Sequence, residues 1–175
     1  MRKLTLFFEP SDIGPAARYH HLLIPYGTLG LMVRYIKDID VAKAVLFLDL
    51  IITKNELNAM HGIPESGHAD DEIYGVFDPV KLQECVDFFD AIVIPKLAQE
   101  NQDLLLRYGG EEQFMEDFCT LESQIPNLFF CTFDGDEIHD DPETLSGCFF
   151  FPLRALFAKA IETNQPYVIM TGLWR

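Results

Sequence analysis

Basic residues are scarce in this chain. Thirteen Lys and Arg stand against twenty-eight Asp and Glu in 175 residues, a formal net charge of −15. That balance disfavours direct binding to DNA or RNA, whose phosphates would meet a repelling field. Long apolar runs are missing as well. The longest stretch, Val41 to Ile52, is interrupted by Lys43 and Asp49 and falls short of the roughly 20 residues a membrane span needs. The apolar run Leu4 to Phe8 is too short for a secretory core and reads as a strand. These absences place the chain away from membranes, in the cytoplasm.

Cysteine is sparse, with Cys85, Cys119, Cys131 and Cys148 forming no Cys-x-x-Cys pair and no zinc-finger spacing with His, which argues against structural zinc. Cys85 and Cys119 fall on apolar helical faces and Cys131 in an apolar strand, so buried free thiols are expected rather than disulfides. The chemical signatures of catalysis are also missing. There is no HExxH, GxSxG, GxGxxG or Walker lysine pattern, and Gly109-Gly110 precedes acids that would repel phosphate. Cys119, Cys131 and Cys148 lie where no Lys or Arg is near in sequence to lower a thiol pKa. No catalytic residue and no cofactor is expected.

What the chain does hold is apolar mass. The apolar share is 49%, with fifteen Phe and six Tyr, more than a disordered chain carries, and the length suits a single globular domain over residues 1–175. No internal repeat stands out. Leu4 to Phe8, Leu128 to Phe133 and Tyr167 to Thr171 read as strands. Thr28 to Lys37 has Leu29, Met32, Val33 and Ile36 at helical spacing, while Val33, Tyr35 and the β-branched content permit a strand, and helix is the preferred reading; Asp40 caps a helix from Val41 to about Thr53.

The clearest helix starts at Asp78-Pro79, with Leu82, Cys85, Val86, Phe89, Ile92 and Val93 on one stripe. Pro95 is expected to break or restart it, and the helical stripe then runs on until Gly109-Gly110 stops it. Another helix runs from Glu111 to about Ser123, and Pro152 serves as the first residue of a last one. The strands are too few for a regular βαβ alternation. The expected class is therefore α+β, a small mixed β-sheet packed against several amphipathic helices.

Charge distribution narrows the function. Between Arg107 and Arg154 there is no base, while Glu111, Glu112, Glu116, Asp117, Glu122, Asp134, Asp136, Glu137, Asp140, Asp141 and Glu143 occur. A second base-free window, Lys54 to Lys81, holds Glu56, Glu65, Asp70, Asp71, Glu72 and Asp78. Such fields speed association with a basic protein. The expectation is a non-enzymatic interaction protein that neutralises a basic partner, in the manner of an immunity protein that inhibits a toxin or nuclease. Asp70, Asp71, Glu72, Asp134, Asp136, Glu137, Asp140 and Asp141 supply the steering, and Phe88 and Trp174 are the aromatic anchors.

The alternative is a divalent-metal-dependent hydrolase or metal-binding protein, using His61, His68, His139 and Asp140 with Asp70 and Asp71. Asp134 to Asp141 invites calcium, but Ile138 and His139 occupy positions where an EF-hand needs a ligand and Gly. His20-His21 beside Leu22 supports no mechanism alone.

Overall fold

The computed structural model describes residues 2–7, 22–51, 73–74, 77–121 and 138–173. Most of them are helical, so the expected α+β class with a mixed sheet is corrected to a mainly helical fold. Four short strands, β1 (Arg2–Phe7), β2 (Leu22–Pro25), β3 (Ile73–Tyr74) and β4 (Val168–Leu173), lie in the order β2-β1-β4-β3. Every pairing among them is antiparallel, with Lys3 opposite Pro25, Phe7 opposite Val168 and Ile73 opposite Ile169. Two of the runs read as strands, Leu4 to Phe8 and Tyr167 to Thr171, overlap β1 and β4, which pair with each other, but helices hold most of the described residues and the sheet is antiparallel, not mixed. The expected strand Leu128 to Phe133 lies outside the described residues.

Helix α1 (Tyr26–Ile39) is buried along nearly its whole length, including Thr28. A helix apolar on so many sides belongs in the middle of a fold, not on its surface. It ends at Asp40, which serves two helices at once. Its N–H donates to the Ile36 carbonyl at 2.8 Å, and its carboxylate accepts from Ala42 N at 2.8 Å and Lys43 N at 3.2 Å. One residue thereby closes α1 and opens α2 (Val41–Ile51).

Helix α3 (Pro79–Phe88) begins as its residues dictate. The Asp78 carboxylate accepts from Val80 N and Lys81 N at 3.0 and 3.1 Å, and Pro79 occupies the first turn, where its missing N–H costs nothing. The helix then passes through a π-helical turn, Phe89–Val93, into α4 (Ile94–Leu97). Pro95 neither breaks nor restarts it at that point. A proline clashes with the carbonyl four residues back. Here Ile94 N–H reaches five residues back to Phe89 O, which widens the turn just ahead of the ring. The helical stripe expected to continue to Tyr108 stops at Leu97, and residues 98–103 form a loop.

Helix α5 (Leu104–Arg107) ends in the motif its two glycines allow. Gly110 N donates to Leu105 O at 2.8 Å and Gly109 N to Leu106 O at 3.2 Å, with both glycines at positive φ, 94° and 87°. Helix α6 (Glu111–Leu121) follows. The last helical run starts at α7 (Pro142–Thr144), passes through a π-helical turn, Leu145–Phe150, and ends as α8 (Phe151–Thr163). Pro152 is therefore inside a helix, not at its start. The same device admits it, with Phe151 N–H donating to Ser146 O.

By length and composition the run Pro142–Thr163 is also long and apolar enough to cross a membrane, a stretch that the reading of Val41 to Ile52 passed over. In the fold, its Leu145, Phe149, Leu153, Phe157 and Ala160 form a buried stripe. Arg154 on the same helix makes a two-pronged ion pair with Asp90, Nε to Oδ1 at 2.9 Å and Nη2 to Oδ2 at 2.7 Å.

The buried residues form one cluster. Phe89 stands at its centre, edge-on to Phe47 and Phe150 with ring centroids 5.7 and 5.1 Å away and stacked on Phe157 at 6.4 Å. Tyr167 follows Phe157 at 5.4 Å.

Candidate functional site: an acidic groove

The loop after α4 and the first turns of the α7 run face each other across a groove of about 570 Å³. Leu97, Ala98, Glu100, Asn101, Gln102 and Asp103 form one wall, and Asp141, Pro142, Glu143, Ser146, Gly147 and Phe151 the other. Among the described residues four carboxylates line it, and no Lys or Arg does. Phe151 is 50% exposed at its edge.

Each acid is held differently. Glu100 accepts from the Tyr35 hydroxyl at 3.0 Å and from Arg107 Nη1, so part of its charge is already balanced. Burial and then Glu100 push the Tyr35 phenol pKa up, and the Arg107 guanidinium lies 5.8 Å from the Tyr35 ring centroid. Asp141 is a helix cap whose carboxylate accepts from Thr144 N at 2.7 Å, which holds its pKa below the usual carboxylate value. Asp103 and Glu143 are exposed. Next to the groove, Asp140 is pushed the other way, its pKa raised chiefly by burial and then by the Asp103 charge.

The π turn also brings Ser146 and Gly147 to the groove wall, Gly147 without a side chain to narrow it. Chemically the groove is a set of acceptors beside one aromatic face, suited to an ammonium or guanidinium group on an apolar stem.

Of the residues singled out from sequence, Asp141 lines the groove and Asp140 adjoins it, and Glu143 of the same acidic window lines it too. Phe88 is elsewhere. It is half-buried against the core, with Lys43 Nζ 5.8 Å from its ring centroid and Lys43 paired to Glu84 at 2.5 Å. His139 is a packing residue, its ring centroid 5.5 Å from that of Phe149. Among the described residues no group of three His, Cys, Asp or Glu is placed to hold a metal. Asp70, Asp71, Glu72, Asp134, Asp136, Glu137, Trp174, His61 and His68, with His20 and His21, lie outside the described residues.

No family model, curated protein or solved structure matches this chain. The groove therefore has to be read from its own chemistry. Glu100, Asp103 and Phe151 were not singled out from sequence. Glu100 and Asp103 sit between Lys96 and Arg107, where counting charge along the chain shows no acidic window, and Phe151 belongs to a triple Phe that reads as core. Cys85 is buried, as expected, and its thiol is pushed up to about 12, chiefly by burial. Cys148 is exposed, a correction to the expectation of buried thiols.

Proposed function

We propose that this chain is a non-enzymatic interaction protein that binds and neutralises a basic protein partner, in the manner of a cytoplasmic immunity protein or inhibitor, and that the groove receives a Lys or Arg side chain of that partner. The observation that carries the reading is a groove lined, among the described residues, by four carboxylates and no Lys or Arg, with an exposed aromatic ring at its edge. The magnitudes set its reach. Exposed ion pairs contribute roughly 0.2–1 kcal/mol each, and covering one aromatic side chain adds about 1.5–3 kcal/mol. The sum falls short of the ~8 kcal/mol of a micromolar complex. A single inserted side chain thus gives weak binding, and a neutralising partner has to extend beyond the groove. Among the described residues nothing favours the metal-dependent alternative.

Calorimetric titration with an oligo-arginine peptide tests this. Binding should weaken several-fold between 50 and 300 mM salt, a range chosen to span Debye lengths of roughly 14 to 6 Å. It should be nearly lost in an Asp103→Asn, Glu143→Gln, Phe151→Ala variant. Unchanged affinity in that variant would place the contact on another acidic surface and sink the proposal.

A further inference from the structure

Glu100 enters the groove wall already carrying a guanidinium. Its Oε1 accepts from Arg107 Nη1 and, at 3.0 Å, from the Tyr35 hydroxyl. The Glu100 side chain is 16% exposed and that of Arg107 33%, so water reaches both partners. Arg107 is not one of the residues that line the groove. One of the four carboxylates therefore lines it with its charge already balanced by a residue of the chain itself.

The wall does not depend on that ion pair. Glu100 N–H donates to Leu97 O at 3.0 Å and Gln99 N–H to Lys96 O at 3.1 Å, which carry the end of α4 into the loop. At the other end of the loop, Leu104 N–H donates to Asp140 O at 2.9 Å and seats α5. The Tyr35 phenol, fixed in α1 at 1% exposure, also holds the Glu100 carboxylate. Arg107 thus supplies charge balance more than position. A partly exposed ion pair contributes little, and its cation can be exchanged for another guanidinium that reaches the same oxygens.

We propose that Arg107 is a built-in competitor for the groove: at rest its guanidinium occupies Glu100, and a basic side chain of a partner binds by displacing it. This regulation rests on the reading of the groove as a receptor for a Lys or Arg side chain. Displacement exchanges one ion pair for another, so Glu100 adds little net attraction in the resting chain. Without Arg107 the same carboxylate meets the incoming cation with its charge uncompensated. The competitor holds down the affinity for an isolated basic side chain, and a partner stays bound only through contacts beyond the groove.

Calorimetric titration of the full chain with an oligo-arginine peptide at low salt tests it. Arg107→Gln should bind about 1.5- to fivefold tighter than wild type, the range set by one exposed ion pair. Lys81→Gln, which removes the same charge from the first turn of α3, should leave affinity unchanged. In a Glu100→Gln background, Arg107→Gln should add no tightening. In the wild-type chain, followed by NMR, the Arg107 Nε–H resonance should move during the titration toward its position in Glu100→Gln. Equal or weaker binding by Arg107→Gln would overturn the proposal, as would an equal effect of Lys81→Gln, tightening that persists without Glu100, or an Arg107 resonance that stays fixed while the peptide binds. If one of these results appears while the Asp103→Asn, Glu143→Gln, Phe151→Ala variant still loses the peptide, only the competitor falls. If that variant binds as wild type does, the groove reading falls with it.

Discussion

Replacing Tyr167 and Tyr108 by Phe, one at a time, sets a satisfied buried hydroxyl against an unsatisfied one. The Tyr167 ring is fully buried beside Phe157, and its hydroxyl donates to the Leu50 carbonyl in α2. The Tyr108 ring is buried beside Phe114 at 5.9 Å, under the Arg34 guanidinium at 5.0 Å. Its hydroxyl is shut away from solvent without a well-formed hydrogen bond. Asp38 is near enough to help burial raise the phenol pKa, but burial is the larger cause.

Tyr167→Phe loses the bond and strands a buried carbonyl, a cost of about 1–3 kcal/mol. Tyr108→Phe removes a polar group whose burial is uncompensated, worth roughly 1–3 kcal/mol on its own. The weak Asp38 contact offsets part of that, and the net change runs from about zero to 1 kcal/mol in favour of the variant. For a chain of this size each kcal/mol moves Tm by about 2–4 °C. Thermal and urea unfolding should therefore show Tyr167→Phe lower by about 2–12 °C and Tyr108→Phe level or higher. If Tyr108→Phe proved the more costly change, Asp38 would be a full hydrogen-bond partner and the assignment of an unsatisfied hydroxyl would fail.

Two further outcomes are expected. Gly109→Ala forces a side chain into φ 87° and brings its Cβ within 3.1 Å of Gln113 Cγ, so urea unfolding should show a loss of about 1–2 kcal/mol; a neutral substitution would contradict the helix ending described. Alkylation of the native protein near pH 8, read by peptide mass, should modify Cys148 and spare Cys85, because Cys85 is buried with its thiol pushed up to about 12 while Cys148 is exposed. Equal labelling of the two in folded protein would refute that placement.

Local signals were legible from residues wherever the cause was local. Asp78-Pro79 opens α3, Asp40 opens α2, and Gly109-Gly110 closes α5, because in each case a cap or a permitted positive φ is a property of one or two residues. Two kinds of feature were not legible. Fold class turned on the balance of helix and sheet: the strands at the two ends of the chain were legible, but reading elements one at a time does not weigh four short strands against the helices that hold most of the described residues. The groove turned on which acids meet in space. Asp141 came from a window that charge counting finds, but Asp103 and Glu100 came from a stretch flanked by Lys96 and Arg107. Density along the chain supplies Asp141 and Glu143, and proximity across the fold adds Glu100 and Asp103 to them.

The two internal prolines show how one local pattern leads to different faces. Asp78-Pro79-Val80-Lys81-Leu82-Gln83-Glu84-Cys85 and Asp141-Pro142-Glu143-Thr144-Leu145-Ser146-Gly147-Cys148 share Asp, Pro, Leu and Cys at the same spacing. Both open with a capping Asp, and both bury the Leu. They diverge at Cys, which is buried in the first and exposed in the second. The π turns account for this. In the first helix the π turn begins at Phe89, after Cys85, so the cysteine keeps the α-helical register of Leu82. In the second it begins at Leu145 and contains Cys148. The wider turn rotates Cys148 out and brings Phe149 and Phe150 in, and Phe150 then meets Phe89. The position of each π turn is set in turn by Pro95 and Pro152, each two residues beyond its end. The same early turn carries Ser146 and Gly147 into the groove wall. A proline read from sequence as the start of a helix thereby sets both the core contact between the two long helices and which residues of the turn line the acidic groove.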